Sequence, residues 1–454
     1  MFQNLSEKVK TEYWLSNQEP KSRLFFYLLL LFLPTQFGKH FWPDFSFIYG
    51  IRVDYLSPTF YFTDLLILLI FIFSIFENFK KIKKINIGTY LTRIVFSLFI
   101  SSFFILGVVF SKSPSEGFYG ILKILEFVFL ISYTAKNFRK LNIKLIFSSF
   151  FIGILFESIL VILQYLNQGS IGGVMYFFGE RMFNSETPGI ANASINGQLI
   201  LRPYGTFSHP NVLAAYLFIS MYLILILSRE IKGKFINVFT LLSLFFGTVG
   251  IFLSFSRTGI FTWILSLFLY FIFAFMKKTR IAILKKDNLI QFFVVSVFAL
   301  LILIFSINIP LVQRFTSLSL SDESVLQREN LAEDSLFIFQ KNVFLGSGVN
   351  NFLINLPEVE KNLNQSFYLQ PVHNIYLLTL AQTGIFGTTL FIFFLSYLFL
   401  KIKKFKEFLI LYFSILFLGF FDHYFLTLQQ GQIIFSVVIG IFLSFPKIPK
   451  KMLI

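Results

Sequence analysis

Pro371-Val372-His373-Asn374 runs straight into Ile375-Tyr376-Leu377-Leu378-Thr379-Leu380-Ala381, and the apolar stretch continues to about Leu400. A helix of roughly 20 apolar residues crosses a hydrocarbon core, so this stretch reads as a membrane span. It also sets a histidine, one of four in the chain, where a polar segment meets that span. Gly384-Ile385-Phe386-Gly387 lies inside the same run. On its own His373 reads equally as an interfacial side chain, with Asn374 capping the helix and the two glycines allowing close helix packing.

The pattern recurs outward from this stretch. The chain is 56% hydrophobic with 68 Phe among 454 residues, a balance that places it among polytopic helical membrane proteins and not soluble domains. A transmembrane barrel would show short alternating segments instead. Apolar runs lie near 24–38, 58–79, 93–111, 118–135, 145–165, 207–228, 235–253, 258–276, 288–309, 374–400, 408–426 and 431–446, which predicts about 12 spans. The fold class is thus all-α, with membrane segments 1–309 and 374–454 flanking one large, partly helical external loop at 310–373.

Charge orients the bundle. Most of the 39 Lys and Arg fall in alternate connections, such as Lys80, Lys81, Lys83 and Lys84, or Lys401, Lys403, Lys404 and Lys406. The positive-inside rule puts those connections and both termini in the cytoplasm and His373 on the opposite face. It also accounts for the net charge of +16. Nucleic-acid binding is excluded, because the charges are scattered over short loops beside apolar spans. Without cysteine, disulfides and thiolate chemistry are excluded. No Gly-rich phosphate loop points to an ATP motor. The first span follows about 23 polar residues with no small-residue cleavage site, so it reads as an uncleaved helix.

Two outward segments are long, at 167–204 and 310–373. Loops of that length in a compact protein are usually functional. In the second, Ser324 and Gln327 fit a capping box, and Arg328, Leu331, Ala332, Ser335, Leu336 and Phe339 share one helical face. That helix should end near Lys341-Asn342, with Gly346-Ser347-Gly348 turning the chain. Among ionisable residues at membrane depth, Lys123 and Glu126 are spaced to pair with each other. Asp64, Glu157, Arg257, Asp422 and His423 should face the bundle interior or a wet cavity. The outward face collects Arg202, Arg257, Arg314, Arg328, His209, His373, Asp422 and His423. Guanidinium forks suit phosphate oxygens, and a histidine can take a proton from an attacking hydroxyl. The plain alternative is that each satisfies a helix end or meets lipid headgroups.

His373-Asn374, nine residues, then Gly384-x-x-Gly387 resembles the signature of the bacterial O-antigen ligase and O-antigen polymerase superfamily. Arg202-Pro203-Tyr204-Gly205-Thr206-Phe207, followed by Pro210-Asn211, is similar to its "GTF…PN" segment. Ser254-Phe255-Ser256-Arg257 is similar to its "SR" turn, and the Arg328 helix with Gly346 and Gly348 to its external loop. Val343 departs from the family, which often has proline there, and this bears on the turn geometry. The resemblance covers about residues 200–400. It implies a metal-independent glycosyltransferase of the bacterial inner membrane, without cofactor, whose site faces the periplasm. The implied donor is a glycan on undecaprenyl diphosphate, and the acceptor is lipid A-core or another lipid-linked glycan. It further implies His373 as the base and Arg257, Arg314, Arg328 and Arg202 at the diphosphate, with Asn374, Gly384 and Gly387 in support; Asp422 is a supporting candidate from its place at the outward end of a span, on the side of His373. The signature does not separate ligase from polymerase; the His-Asn and Gly-x-x-Gly spacing leans slightly to ligase. A lipid-linked glycan flippase is the alternative from another class; it should show internal repeats, and none is evident.

Overall fold

Helix ends follow from local chemistry. A computed structural model describes residues 19–79, 100–195, 198–233, 235–275, 323–359 and 369–445. Arg314 and the span expected at 288–309 lie outside the described residues, and the span expected at 93–111 is described from residue 100. The first helix, α1 (Lys21–Phe32), stops before Pro34, earlier than the apolar run suggests, because proline has no backbone N–H to continue the helical ladder. After it come β1 (Gly38–His40), a hairpin of β2 (Phe47–Ile48) and β3 (Ile51–Arg52), and β4 (Thr59–Tyr61), with β1 antiparallel to β4. These short pairs, and β5 (Asn192–Ile195) with β6 (Gln198–Leu201), correct the all-α expectation: the chain is mostly helical with a little sheet outside the bundle.

The bundle is built from α2 (Phe62–Phe79), α3 (Ile100–Val109), α4 (Pro114–Asn137), α5 (Ile143–Asn167), α6 (Pro210–Leu227), α7 (Ile236–Leu253) and α8 (Arg257–Phe275). The external loop contributes α9 (Glu323–Lys341) and the short α10 (Phe352–Asn355). The chain closes with α11 (Ile375–Ile402), α12 (Lys406–Phe421), the short α13 (Tyr424–Thr427) and α14 (Gln429–Ser444). By length and hydropathy five of the described helices can cross a membrane, namely α4, α5, α6, α7 and α11 with their helical extensions, where the apolar pattern predicts about 12. Along Pro210–Glu230 89% of the apolar window is buried, against 22% along Ile375–Ile402, so α6 is the central helix and α11 a peripheral one. A second, separate apolar cluster joins Ile48, Val53 and Leu56 to Leu331, Ile338, Phe352 and Val372. The first connection and the large loop therefore form one cap over the end of the bundle.

Two sets of ionisable groups inside the bundle find partners across helices. Lys123 lies 3.1 Å from Glu126 as its spacing suggests, and also 2.8 Å from Asp64 on α2. Its Nζ donates to Gln429 Oε1 on α14 at 3.2 Å. Lys123→Met strands two carboxylates in a dry site and is expected to cost about 3–5 kcal/mol, read as a lower unfolding temperature in detergent. Glu157 accepts from the Thr206 amide at 3.0 Å and hydroxyl at 2.7 Å. Gln164, two turns on, accepts from the Tyr204 and Gly205 amides at 3.0 and 2.8 Å. These two α5 side chains fix the turn that leads into α6.

The external loop is stitched into a broken helix. Gly384 has φ 60° and ψ −168° inside α11, which divides it into two helical stretches. The free backbone groups find partners in the loop: Ile385 N–H donates to Val343 O at 2.8 Å, Ser347 N–H to Ala381 O at 2.8 Å, and Gly348 N–H to Gln382 O at 3.0 Å. Gly384 is thus a helix break and not simply a close-packing residue. The α9 face is rotated from expectation. Leu331, Asp334, Ser335 and Ile338 are buried, while Leu336 is 43% exposed. The capping-box reading also fails, since Ser324 lies already within α9.

Candidate active site

Where α12 ends at Phe421, Asp422 is extended and His423 precedes the short α13, so both sit in a break between helices. His373 approaches them from the bend before α11, with its ring 5.2 Å from that of His423 at 66°. Asn374 caps α11, accepting from the Tyr376 and Leu377 amides at 2.8 and 3.0 Å. That cap holds the His373 backbone at the helix mouth. Tyr55, from the connection between β3 and β4, closes the other side of His423 with ring centroids 5.4 Å apart.

Asp422 is fully committed on one side. Its Oδ2 accepts from Asn211 Nδ2 at 2.8 Å and its Oδ1 from the His423 amide at 2.8 Å. Asn211 Oδ1 in turn accepts from Arg202 Nη2 at 2.8 Å, and Arg202 Nε donates to Ser254 O at 3.1 Å. One buried chain therefore ties the turn before α6 and the turn between α7 and α8 to the carboxylate. His423 Nδ1 lies 2.6 Å from Thr427 Oγ1, which fixes its ring. The buried His373 Nδ1 has no hydrogen-bond partner among the described residues. Burial pulls the His373 ring well below the ordinary imidazole range, to about 3, with Asp422 pulling the other way and His423 and Arg328 adding to the fall. The ring is neutral at pH 7 and can accept a proton.

The structure brings His373 and Asp422 together and adds His423, Tyr55 and Asn211 to them. Half-buried Arg328 on α9 bears electrostatically on His373, Asp422 and His423. Among the described residues it has no hydrogen-bond or ion-pair partner. Arg202 reaches Asp422 through Asn211, so its position is that of a brace. Arg257 opens α8, three residues beyond the carbonyl that Arg202 grips. His209 serves as a cap, its Nδ1 accepting from the Asn211 amide at 3.1 Å. Gly387 is buried one turn beyond the break. Asn211 stands inside the Pro210-Asn211 motif, but nothing local reveals that its amide meets a carboxylate 211 positions away. Tyr55 belongs to a shorter connection with no motif, and only its Asp54-Tyr55 polarity between two apolar runs hinted at a role. Asn211→Leu leaves Asp422 and Arg202 each short of a partner. It is expected to cost about 1–3 kcal/mol, measured by thermal unfolding against Asn211→Gln.

The ligand atoms of His373, Asp422 and His423 all lie within 4.8 Å of one another, so the three could hold a divalent cation. Arg328 opposes this by adding positive charge nearby.

Membrane-length helices and a His-Asp-His group at the mouth of one of them, α11, mark this end of the bundle as the candidate site of a membrane protein. Residues 242–392 match the family model described as O-Antigen ligase, and this match supports the O-antigen ligase superfamily. That segment runs from α7 to beyond the break in α11 and includes Arg257, Arg328, His373, Gly384 and Gly387. No curated protein matches the chain.

Proposed function

We propose that the protein is a glycosyltransferase of O-antigen or polysaccharide assembly that moves a glycan from undecaprenyl diphosphate to an acceptor hydroxyl at the periplasmic face of the inner membrane. The observation that carries this reading is the unpartnered His373 Nδ1 beside Asp422, within the field of Arg328. In this reading His373 takes the acceptor proton. Asp422, braced by Asn211, stabilises the imidazolium that forms. Arg328, Arg257 and Arg314 hold the diphosphate, which leaves as the glycosidic bond forms. At rest the His373 ring is a weak base. A bound diphosphate brings negative charge beside it and raises its proton affinity as the substrate arrives. The leaving group is already good, so positioning and fixed charge suffice.

Ligation to lipid A-core is the form we favour. A deletion strain tests it. Loss of all glycan from lipid A-core supports a ligase, a single surviving repeat unit indicates a polymerase, and an unchanged surface glycan defeats both. Two biochemical outcomes are expected. Transfer by the purified protein should be unaffected by EDTA, and its loss on chelation with recovery on added divalent cation would assign the His-Asp-His group to a metal. Arg257→Ala, Arg314→Ala and Arg328→Ala should each raise the donor concentration needed for half-maximal rate. Lys at the same positions should recover only part, since it loses the bidentate fork.

A further inference from the structure

The connection after α5 carries an apolar surface that the site does not use. Residues 173–178 form a 3₁₀ turn, Gly-Val-Met-Tyr-Phe-Phe, in which Val174 is 67%, Tyr176 54% and Phe177 70% exposed; Met182, just beyond, is 73% exposed. No charged residue occurs from Ser170 to Gly179. The loop is nevertheless rigid. Buried Glu180 accepts from the Ile171 and Gly172 amides at 2.8 and 2.7 Å and from Gln164 Nε2 at 2.8 Å. Ser170 N–H donates to Phe183 O at 2.8 Å and Glu180 N–H to Met175 O at 3.1 Å. The backbone polar groups are thus satisfied inward while the apolar side chains point outward.

That arrangement suits a lipid surface, where an unsatisfied peptide group is costly. The occupant is indicated by continuity. Along α5, a membrane-length helix, Ile152, Ile159, Leu163 and Leu166 form one exposed stripe at helical spacing, and it ends where this turn begins. Tyr and aromatic side chains at the end of such a stripe match the belt found at membrane interfaces. We infer that residues 173–182 are an interfacial anchor, inserted at the boundary of headgroups and acyl chains in the leaflet on the same side as His373. The anchor is tied to the site. Arg181 Nη2 donates to Ser208 O at 2.8 Å, next to His209, and Gln164 Nε2 donates to Gly205 O at 2.9 Å. The turn before α6 is thereby held at a fixed depth. The inference rests on the membrane-spanning fold and is independent of the proposed chemistry.

The chain has no cysteine, so Phe177→Cys, Met182→Cys and Val174→Cys each give a single spin-labelling site in the full-length protein. References are Leu163→Cys on the α5 stripe and Glu186→Cys in the exposed turn beyond. In proteoliposomes, power saturation with oxygen and with a water-soluble nickel chelate reports lipid against water. Labels at 177 and 182 should show an oxygen-to-nickel accessibility ratio several-fold above that at 186 and approaching that at 163. A nickel accessibility equal to that at 186 at all three positions would overturn the inference by placing the turn in water. Protection from both reagents would overturn it equally, by showing a protein cover such as a second copy.

Discussion

His373→Ala is expected to lower glycan transfer about 10²–10⁴-fold, the usual contribution of a positioned general base, while the protein still inserts and folds. The variant removes the one imidazole nitrogen in the cluster that is buried and uncommitted, and it leaves the Asn374 cap in place. His423→Ala should do less damage to chemistry, because its Nδ1 already engages Thr427. The comparison therefore separates a base from a packing ring. Wild-type transfer by His373→Ala would remove this residue from the mechanism. A second measurement uses acid. The folded-state proton affinity of His373 is depressed to about 3, against an unfolded value of about 6.5. Below the unfolded value the unfolded chain binds a proton that the folded chain refuses. Stability contributed by the neutral ring is thus complete above about pH 6.5 and declines toward pH 3. Wild type should lose more unfolding temperature over that window than His373→Gln, and equal losses would show that the ring is not held neutral by the fold.

Gly384→Ala is expected to be nearly as damaging, from a position that carries no chemistry. The φ and ψ of Gly384 fall in a region that only glycine occupies comfortably, and a β-carbon there would overlap the Phe344 carbonyl. Strain of about 1–3 kcal/mol adds to loss of the loop's three hydrogen bonds to α11. The helix can escape by closing its normal ladder, and the loop then loses its seat beside His373. Both lower unfolding temperature and loss of transfer should follow. Gly387→Ala is the control. Its added carbon meets the Thr383 hydroxyl and the Thr383 β-carbon, which side-chain rotation cannot move, so stability should fall here too, but transfer should fall less because the Gly387 backbone takes no part in the seam with the loop. An equal loss of transfer at the two positions would show that the break at Gly384 is not what seats the loop.

Helix positions were legible because apolar run length reports them directly. The span expected at 145–165 is the helix Ile143–Asn167, and that at 235–253 is Ile236–Leu253. The break in α11 was not legible, since Gly384-x-x-Gly387 inside an apolar run fits ordinary helix packing as well as it fits a break. What selects the break is a partner backbone from the 343–348 turn, and no local pattern encodes that contact. The α9 face slipped for a related reason. Leu331, Leu336, Ile338 and Phe339 lie on overlapping arcs, and the choice between them falls to the small core made with Ile48, Val53 and Leu56 from the first connection. In the site, His373, Asp422 and Arg328 could be named because ionisable groups near membrane ends are few. Tyr55 and Asn211 could not, because their importance lies in whom they meet.

The seam between the loop and α11 also limits how a substrate can arrive. Lifting the loop would strand Ile385 N–H and the Ala381 and Gln382 carbonyls at the edge of an apolar helix, each at a cost of about 1–3 kcal/mol. Opening this turn with every turnover would require α11 to reclose its ladder across Gly384 each time. On the proposed function, the 343–348 turn is then a standing wall beside His373, and a lipid-linked donor is expected to reach the site past its edge.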